Sequence, residues 1–488
     1  LSVSWLRTQL PMAWILLYVV SLRFAQLPFP QDNLFLYGTF PPNFMWSVGT
    51  AAYQVEGGWE QNGKAPSIWD TFCHKSGQLD ATGDVASDSY NNLFRDTEAL
   101  KSLGVTHYRF SISWPRLFPN GTESAPNEAG LSYYRNLILR LKELRIEPVV
   151  TLYHWDLPQR LQDVYGGWVS ESMVGIFRDY AEACFRLLGD EVKYWITIDN
   201  PYVVAWQGYA TGKVPPGIKG DKVMGYRAGH NIIKAHAAVW HLYDKKFRPQ
   251  QGGQISIALA SHWINPVNMT SHDIGDCQKS LDFALGWFAK PIFIGDYPKV
   301  MRDWLAPRNN LDVFEFYLPS FTEEEKNLIQ GTFDFFALSH FTTELVQWEK
   351  EDVAKYDHRL EVQFITDSTW VHSPNKYAVV PWGLRKVLNW VKSKYGDVPI
   401  YILANGIDDA HSPMQDKLRV YYLQNYINEA LKAILHDGVN LRGYFAYSFN
   451  DRMDPRYGLY AYAANRFAPK LSMKHYQEII DNNGFPNP

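Results

Sequence analysis

Polar and indole side chains collect at one kind of place in this sequence, the downstream ends of short β-rich runs. Gln54, Arg109, His154-Trp155, Asp199-Asn200, His262-Trp263, Ser339, Ala404-Asn405 and Tyr447 all stand there. Amide, imidazole and carboxylate groups hydrogen-bond hydroxyls, and flat aromatic faces stack on rings, so the set suits a carbohydrate pocket. A protein interface uses the same aromatic residues, and the residue types alone leave both open. Asp408 and Asp409 follow Ala404 in the next loop, a pair of carboxylates that on residue type alone reads as solvated or helix-capping. Cys73, Cys184 and Cys277 are odd in number and widely spaced, which fits buried free thiols rather than a disulfide framework or a metal centre. No cofactor is implied.

The elements that must position these residues repeat one theme, a β-rich run followed by a helical pattern. The eight runs are Phe44–Ala52, Thr106–Trp114, Pro148–Trp155, Lys193–Asp199, Gln254–His262, Asp334–Phe341, Pro399–Ala404 and Arg442–Phe449. Several are rich in Val, Ile, Tyr and Phe, as strands covered on both faces should be. Amphipathic stretches lie between them, among them Asn127–Leu144, Val174–Leu188 and Asp416–His436. Eight strand–helix units closing on themselves make an α/β fold, a (β/α)8 TIM barrel with long βα loops, whose functional mouth is at the C-terminal strand ends. Met301–Gln330 and Lys350–Lys376 read as loop-rich insertions, and no linker divides the chain.

Composition agrees with a folded domain. The 488 residues are 46% hydrophobic and 20% charged, which excludes a disordered or collagen-like chain. Lys and Arg number 47 against 51 Asp and Glu, so there is no broad basic field and no nucleic-acid partner is expected. Arg7 precedes the apolar run Pro11–Val20, which reads as a signal peptide over residues 1–25 and is too short to span a bilayer. A membrane anchor, if there is one, lies beyond Pro488. The sequons at Asn120 and Asn268 add to an extracellular or cell-surface reading.

The motifs carry a family resemblance. Phe40–Trp46 (FPPNFMW), Ala52–Trp59 (AYQVEGGW), Pro66–Asp70 (PSIWD), Tyr108–Arg116 (YRFSISWPR), His154–Pro158 (HWDLP) and Gly443–Ser448 (GYFAYS) resemble the family 1 β-glycosidases over residues 36–486. Within them, Tyr194–Trp206, Val380–Asn389, Asn405–Asp409, Tyr447–Arg452 and Ser472–Tyr476 are most similar to the klotho proteins. The resemblance implies a retaining-glycosidase barrel, in which two carboxyl groups about 5–5.5 Å apart act as acid/base and nucleophile. The family's Thr-x-Asn-Glu-Pro run reads Thr197-Ile-Asp-Asn-Pro201 here, so Asn200 takes the acid/base position. Its Thr-Glu-Asn-Gly run reads Leu403-Ala-Asn-Gly406, so Ala404 takes the nucleophile position. Neither side chain can give a proton or attack carbon.

The rest of the sugar-holding set is partly retained. Gln54, His154 and Trp155 match glycone-binding positions, while Ser339 and Phe341 stand where the family has Asn and Tyr. Asp454 replaces the Glu that holds the outer hydroxyls, and Pro455 replaces the Trp that stacks on the ring. Asp199, adjacent to Asn200, should face the other side of its strand unless a bulge intervenes. Klotho-type proteins act as co-receptors for endocrine fibroblast growth factors beside receptor tyrosine kinases, so the resemblance implies a pseudoglycosidase with those partners. A hydrolase using a displaced carboxylate and a lectin-like, glycan-binding module are the alternatives.

Overall fold

The structure, a computed structural model, describes residues 34–76, 82–122, 125–219, 222–268, 270–306, 318–347, 356–357, 360, 362–409, 414–451 and 457–487. The signal-peptide segment 1–25, Asp454 and Pro455 lie outside those residues. Each expected β-rich run contains a strand: β1 (Met45–Gly49), β2 (His107–Ser111), β3 (Glu147–Tyr153), β4 (Tyr194–Asp199), β5 (Gln254–Ala260), β6 (Phe336–Ser339), β7 (Ile400–Asn405) and β8 (Leu441–Ala446). They pair in parallel in sequence order, and β8 closes on β1 to complete the barrel.

Burial on both faces explains why these runs are apolar throughout. One cluster, with Met45, Val149, Ile196, Ala258, Ala337, Tyr401, Leu403 and Phe445, fills the inside of the barrel. A larger one packs the outer strand faces against the helices, with Val48, Phe110, Val150, Trp195, Ile255 and Ile402 among its members. The helical ring comprises α1 (Leu93–Leu103), α2 (Glu128–Glu143), α3 (Ser172–Leu188), α4 (Lys222–Leu242), α5 (Ser271–Leu281), α6 (Trp382–Tyr395), α7 (Lys417–Leu435) and α8 (Leu471–Asp481). In α2, Leu131, Tyr134, Leu137, Ile138 and Leu141 are buried, the stripe its spacing requires. Among the described residues no helix is long and apolar enough to cross a membrane.

Both insertions contain regular elements among their described residues. Met301–Gln330 contains the helix Glu323–Ile329, opened by a capping box in which Thr322 and Glu325 satisfy each other's backbone N–H groups. Val362–Ile365, within Lys350–Lys376, pairs with Thr343–Gln347, which also pairs with Trp263–Pro266, giving a small sheet beside the mouth. Trp263 therefore opens a second strand after β5 and is buried. All three cysteines are buried.

Candidate functional site at the barrel mouth

Two of the strands that should present catalytic groups carry an extra residue near their ends. On β4, Ile196 pairs with Ser256 but Asp199 with Ala258, so three steps on β4 match two on β5. Side-chain direction follows this bulge. Ile196 packs inside the barrel. Thr197 Oγ1 turns outward to within 2.8 Å of His236 Nδ1 on α4, and Ile198 joins the outer core. Asp199 then points inward. Strict alternation would turn it away from the mouth, and the bulge is the physical reason it does not.

Inside, Asp199 meets Arg109 of β2. The guanidinium donates from Nη2 to Asp199 Oδ2, from Nε to Thr151 Oγ1 at 3.2 Å, and from Nη1 to the carbonyl of Leu403 at 3.3 Å. It thus ties together the ends of β2, β3, β4 and β7. His154 Nε2 lies 3.5 Å from Asp199 Oδ1, and the Trp155 indole N–H donates to the Asp199 carbonyl at 2.8 Å. Burial alone would raise the Asp199 carboxyl, but the charges of His154 and Arg109 and the Arg109 hydrogen bond hold it below the usual carboxylate range. An ion-paired carboxylate of this kind is a poor proton donor.

Asn200 sits at the mouth with φ +41°, a conformation Asn tolerates better than most residues. Its backbone N–H donates to the Ala258 carbonyl at 2.8 Å, and its Oδ1 accepts from the Val203 N–H at 3.4 Å. The amide is engaged with the turn that follows it. On β7, a second extra residue separates Ile402, opposite Leu338, from Ala404, opposite Ser339. Leu403 stays inside the barrel, while Asn405 turns outward to donate to the His340 carbonyl and to accept from the Tyr444 hydroxyl. Ala404 is left between them, 5% exposed, with only a methyl group.

The loops beyond are held by groups that look catalytic in sequence. Asp408 Oδ2 accepts from the Asn375 N–H at 3.0 Å, and Asp409 Oδ2 from the Leu418 N–H at 3.1 Å in the first turn of α7. Both are buried backbone anchors rather than a solvated pair, and Asp409 holds the first turn of α7 from outside the helix, whose N-cap residue is Asp416. Gly406 lets the loops after β7 and β8 cross closely, because a Cβ there would meet the Tyr447 carbonyl at 1.9 Å. Tyr447 in turn packs edge-on against Phe341, ring centres 5.6 Å apart, and against Tyr457 at 5.4 Å.

The remaining sequence candidates surround this floor. Gln54 lies in the short helix Ala52–Val55 after β1, its Oε1 buried and accepting no hydrogen bond among the described residues. Ser339 is buried at the end of β6. His262 at the rim lies 3.5 Å from Glu344 and edge-on to Tyr377. The sequence does not single out Glu344 or Tyr377, which lie just past the sixth β-rich run and just past the Lys350–Lys376 segment. Among the described residues no group of His, Cys, Asp and Glu could hold a metal ion.

The chain resembles known proteins along almost its whole length. Lactase-like protein of Homo sapiens is 43% identical over 507 residues, covering 99% of this chain and 88% of that protein. Klotho of Homo sapiens is 34% identical over 918 aligned residues, covering 96% of this chain and 90% of klotho. That aligned length exceeds the 488 residues here, so the chain matches klotho along more than one stretch. Among solved structures, aphid myrosinase superposes with a TM-score of 0.87 at 35% identity, covering 92% of this chain and 100% of that one. The family model for glycosyl hydrolase family 1 matches residues 36–485. With the eight-stranded barrel, this places the chain in glycosyl hydrolase family 1, as a klotho-like member.

Proposed function

We propose that this chain is a pseudoglycosidase, a family 1 barrel whose mouth binds a protein ligand instead of hydrolysing a glycoside. The observation that carries the reading is the pair of side chains at the two catalytic positions, an amide at Asn200 and a methyl at Ala404. General acid–base help is worth about 10²–10⁴-fold, and covalent catalysis adds to that. The nearby carboxylates do not substitute: Asp199 is committed to Arg109, and Asp408 and Asp409 to backbone amides.

The likeness to klotho supports an extracellular or cell-surface co-receptor role, with an endocrine fibroblast growth factor and its receptor tyrosine kinase as partners. A growth-factor tail would enter the former sugar pocket, where Trp155, His262, Tyr377 and Tyr447 supply aromatic surface for anchoring. A second reading, binding of a glycan without turnover, is favoured by Gln54, whose buried Oε1 is an acceptor that a sugar hydroxyl would satisfy.

The test is kcat/KM on an aryl β-glucoside for the native chain and for the Asn200→Glu, Ala404→Glu double variant. The expected native rate is indistinguishable from buffer. Native turnover at a rate typical of glycosidases sinks the proposal. Recovery in the double variant supports the glycan reading, because the pocket then still seats a sugar. Silence in both folded proteins turns the question to growth-factor binding, read by surface plasmon resonance against Trp155→Ala.

A further inference from the structure

Arg109 is the most demanding group at the floor of the mouth. It is 3% exposed, and a buried charge without a partner is strongly destabilising. Its three donating nitrogens reach β3, β4 and β7, and Nη1 on the Leu403 carbonyl sets the guanidinium beside position 404. A carboxylate at 404 would lie within reach of this cation, and the chain has Ala404 there instead.

Two differences from the family pattern therefore concern one cation. Position 404 has lost a carboxylate, where the family run has Glu, and position 199 has gained one, where the family run has Asn. The β4 bulge turns Asp199 inward onto the guanidinium. The other lost carboxylate, at Asn200, has no such replacement, and it sits where its side chain is only half-buried. We propose that Asp199 is a relocated counter-ion: the negative charge that neutralises Arg109 has moved from the end of β7 to the end of β4, which lets the barrel lose its nucleophile and stay stable.

The proposal rests on reading 404 as the emptied nucleophile position, and it has a consequence for reactivation. Restoring a glutamate at position 404 while Asp199 remains sets two carboxylates against one guanidinium. Adding Asp199→Asn to Asn200→Glu and Ala404→Glu should then raise the recovered glycosidase rate above that of the double variant.

The test is a thermal-unfolding cycle on the full chain. Asp199→Asn leaves the Arg109 charge without its counter-ion and should lower Tm by about 3–5 °C. Ala404→Glu alone should also lower Tm. Asp199→Asn with Ala404→Glu should melt above either single variant, a rescue that an ordinary packing role for Asp199 does not give. Should the variants carrying Ala404→Glu fail to fold, Asp199→Asn with Arg109→Gln carries the same question and should melt above Asp199→Asn alone. Additive losses in whichever cycle is measured overturn the counter-ion. Tm needs no turnover, so this failure is separable from failure of the pseudoglycosidase reading, which only native hydrolysis brings down.

Discussion

Asp156, two residues past His154, shows how little of a motif's chemistry is visible in its letters. It lies buried in a cluster with Glu56, Lys64, Asp70, Ser113 and Arg116, away from the Arg109–Asp199 pair. Burial first, and then the negative Glu56, push its carboxyl up to about 7, against the opposing pull of Lys64 and Ser113. The folded chain therefore holds a proton that the unfolded chain releases near pH 4, and stability falls as pH rises from there toward 7. Each unit of such a shift is worth about 1.4 kcal/mol. Asp156→Asn should accordingly be close to neutral in Tm at pH 4 and stabilising by a few degrees at pH 8; a pH-independent difference would refute the assignment. The two positions proposed to have lost a catalytic carboxylate, Asn200 and Ala404, are legible in sequence because they sit inside recognisable runs. The direction of Asp199 is not, since one extra residue reverses it and no local residue type announces the insertion.

At the scale of elements, the eight strands and their helices are legible because burial on both faces leaves each strand an apolar run and each helix a stripe. The small four-stranded sheet built from Trp263–Pro266, Thr343–Gln347, Val362–Ile365 and Tyr356–Asp357 is not. Its strands are short, lie in loops and pair across distant sequence, so no periodicity marks them. Two predictions belong here. Gly406→Ala forces the loops after β7 and β8 apart, because the new methyl meets the Tyr447 carbonyl. It should cost several degrees of Tm and loosen Tyr447, read as faster amide exchange at 447–449. Thr322→Ala removes one half of the capping box and should cost about 1 kcal/mol in denaturant unfolding, with no effect at the mouth.

For the molecule as a whole, the sequons lie on the surface: Asn120 and Asn268 are both exposed. A chain made in a secreting animal cell should therefore lose the mass of up to two N-glycans on enzymatic deglycosylation, and no change in mass would count against the extracellular reading. The cysteines lead further. Cys73 lies in the helix Ile68–Ser76 behind β1, Cys184 in α3 and Cys277 in α5, three well-separated places around the barrel. Burial raises all three, Cys184 to about 12, so none offers a thiolate to solvent while the chain is folded. These cysteines are in effect three built-in clocks. In native buffer a maleimide should add no mass, and under rising urea each thiol should label only as its own sector opens. If all three gain mass together, the barrel comes apart as one unit; if one leads, its position names the wall that gives way first.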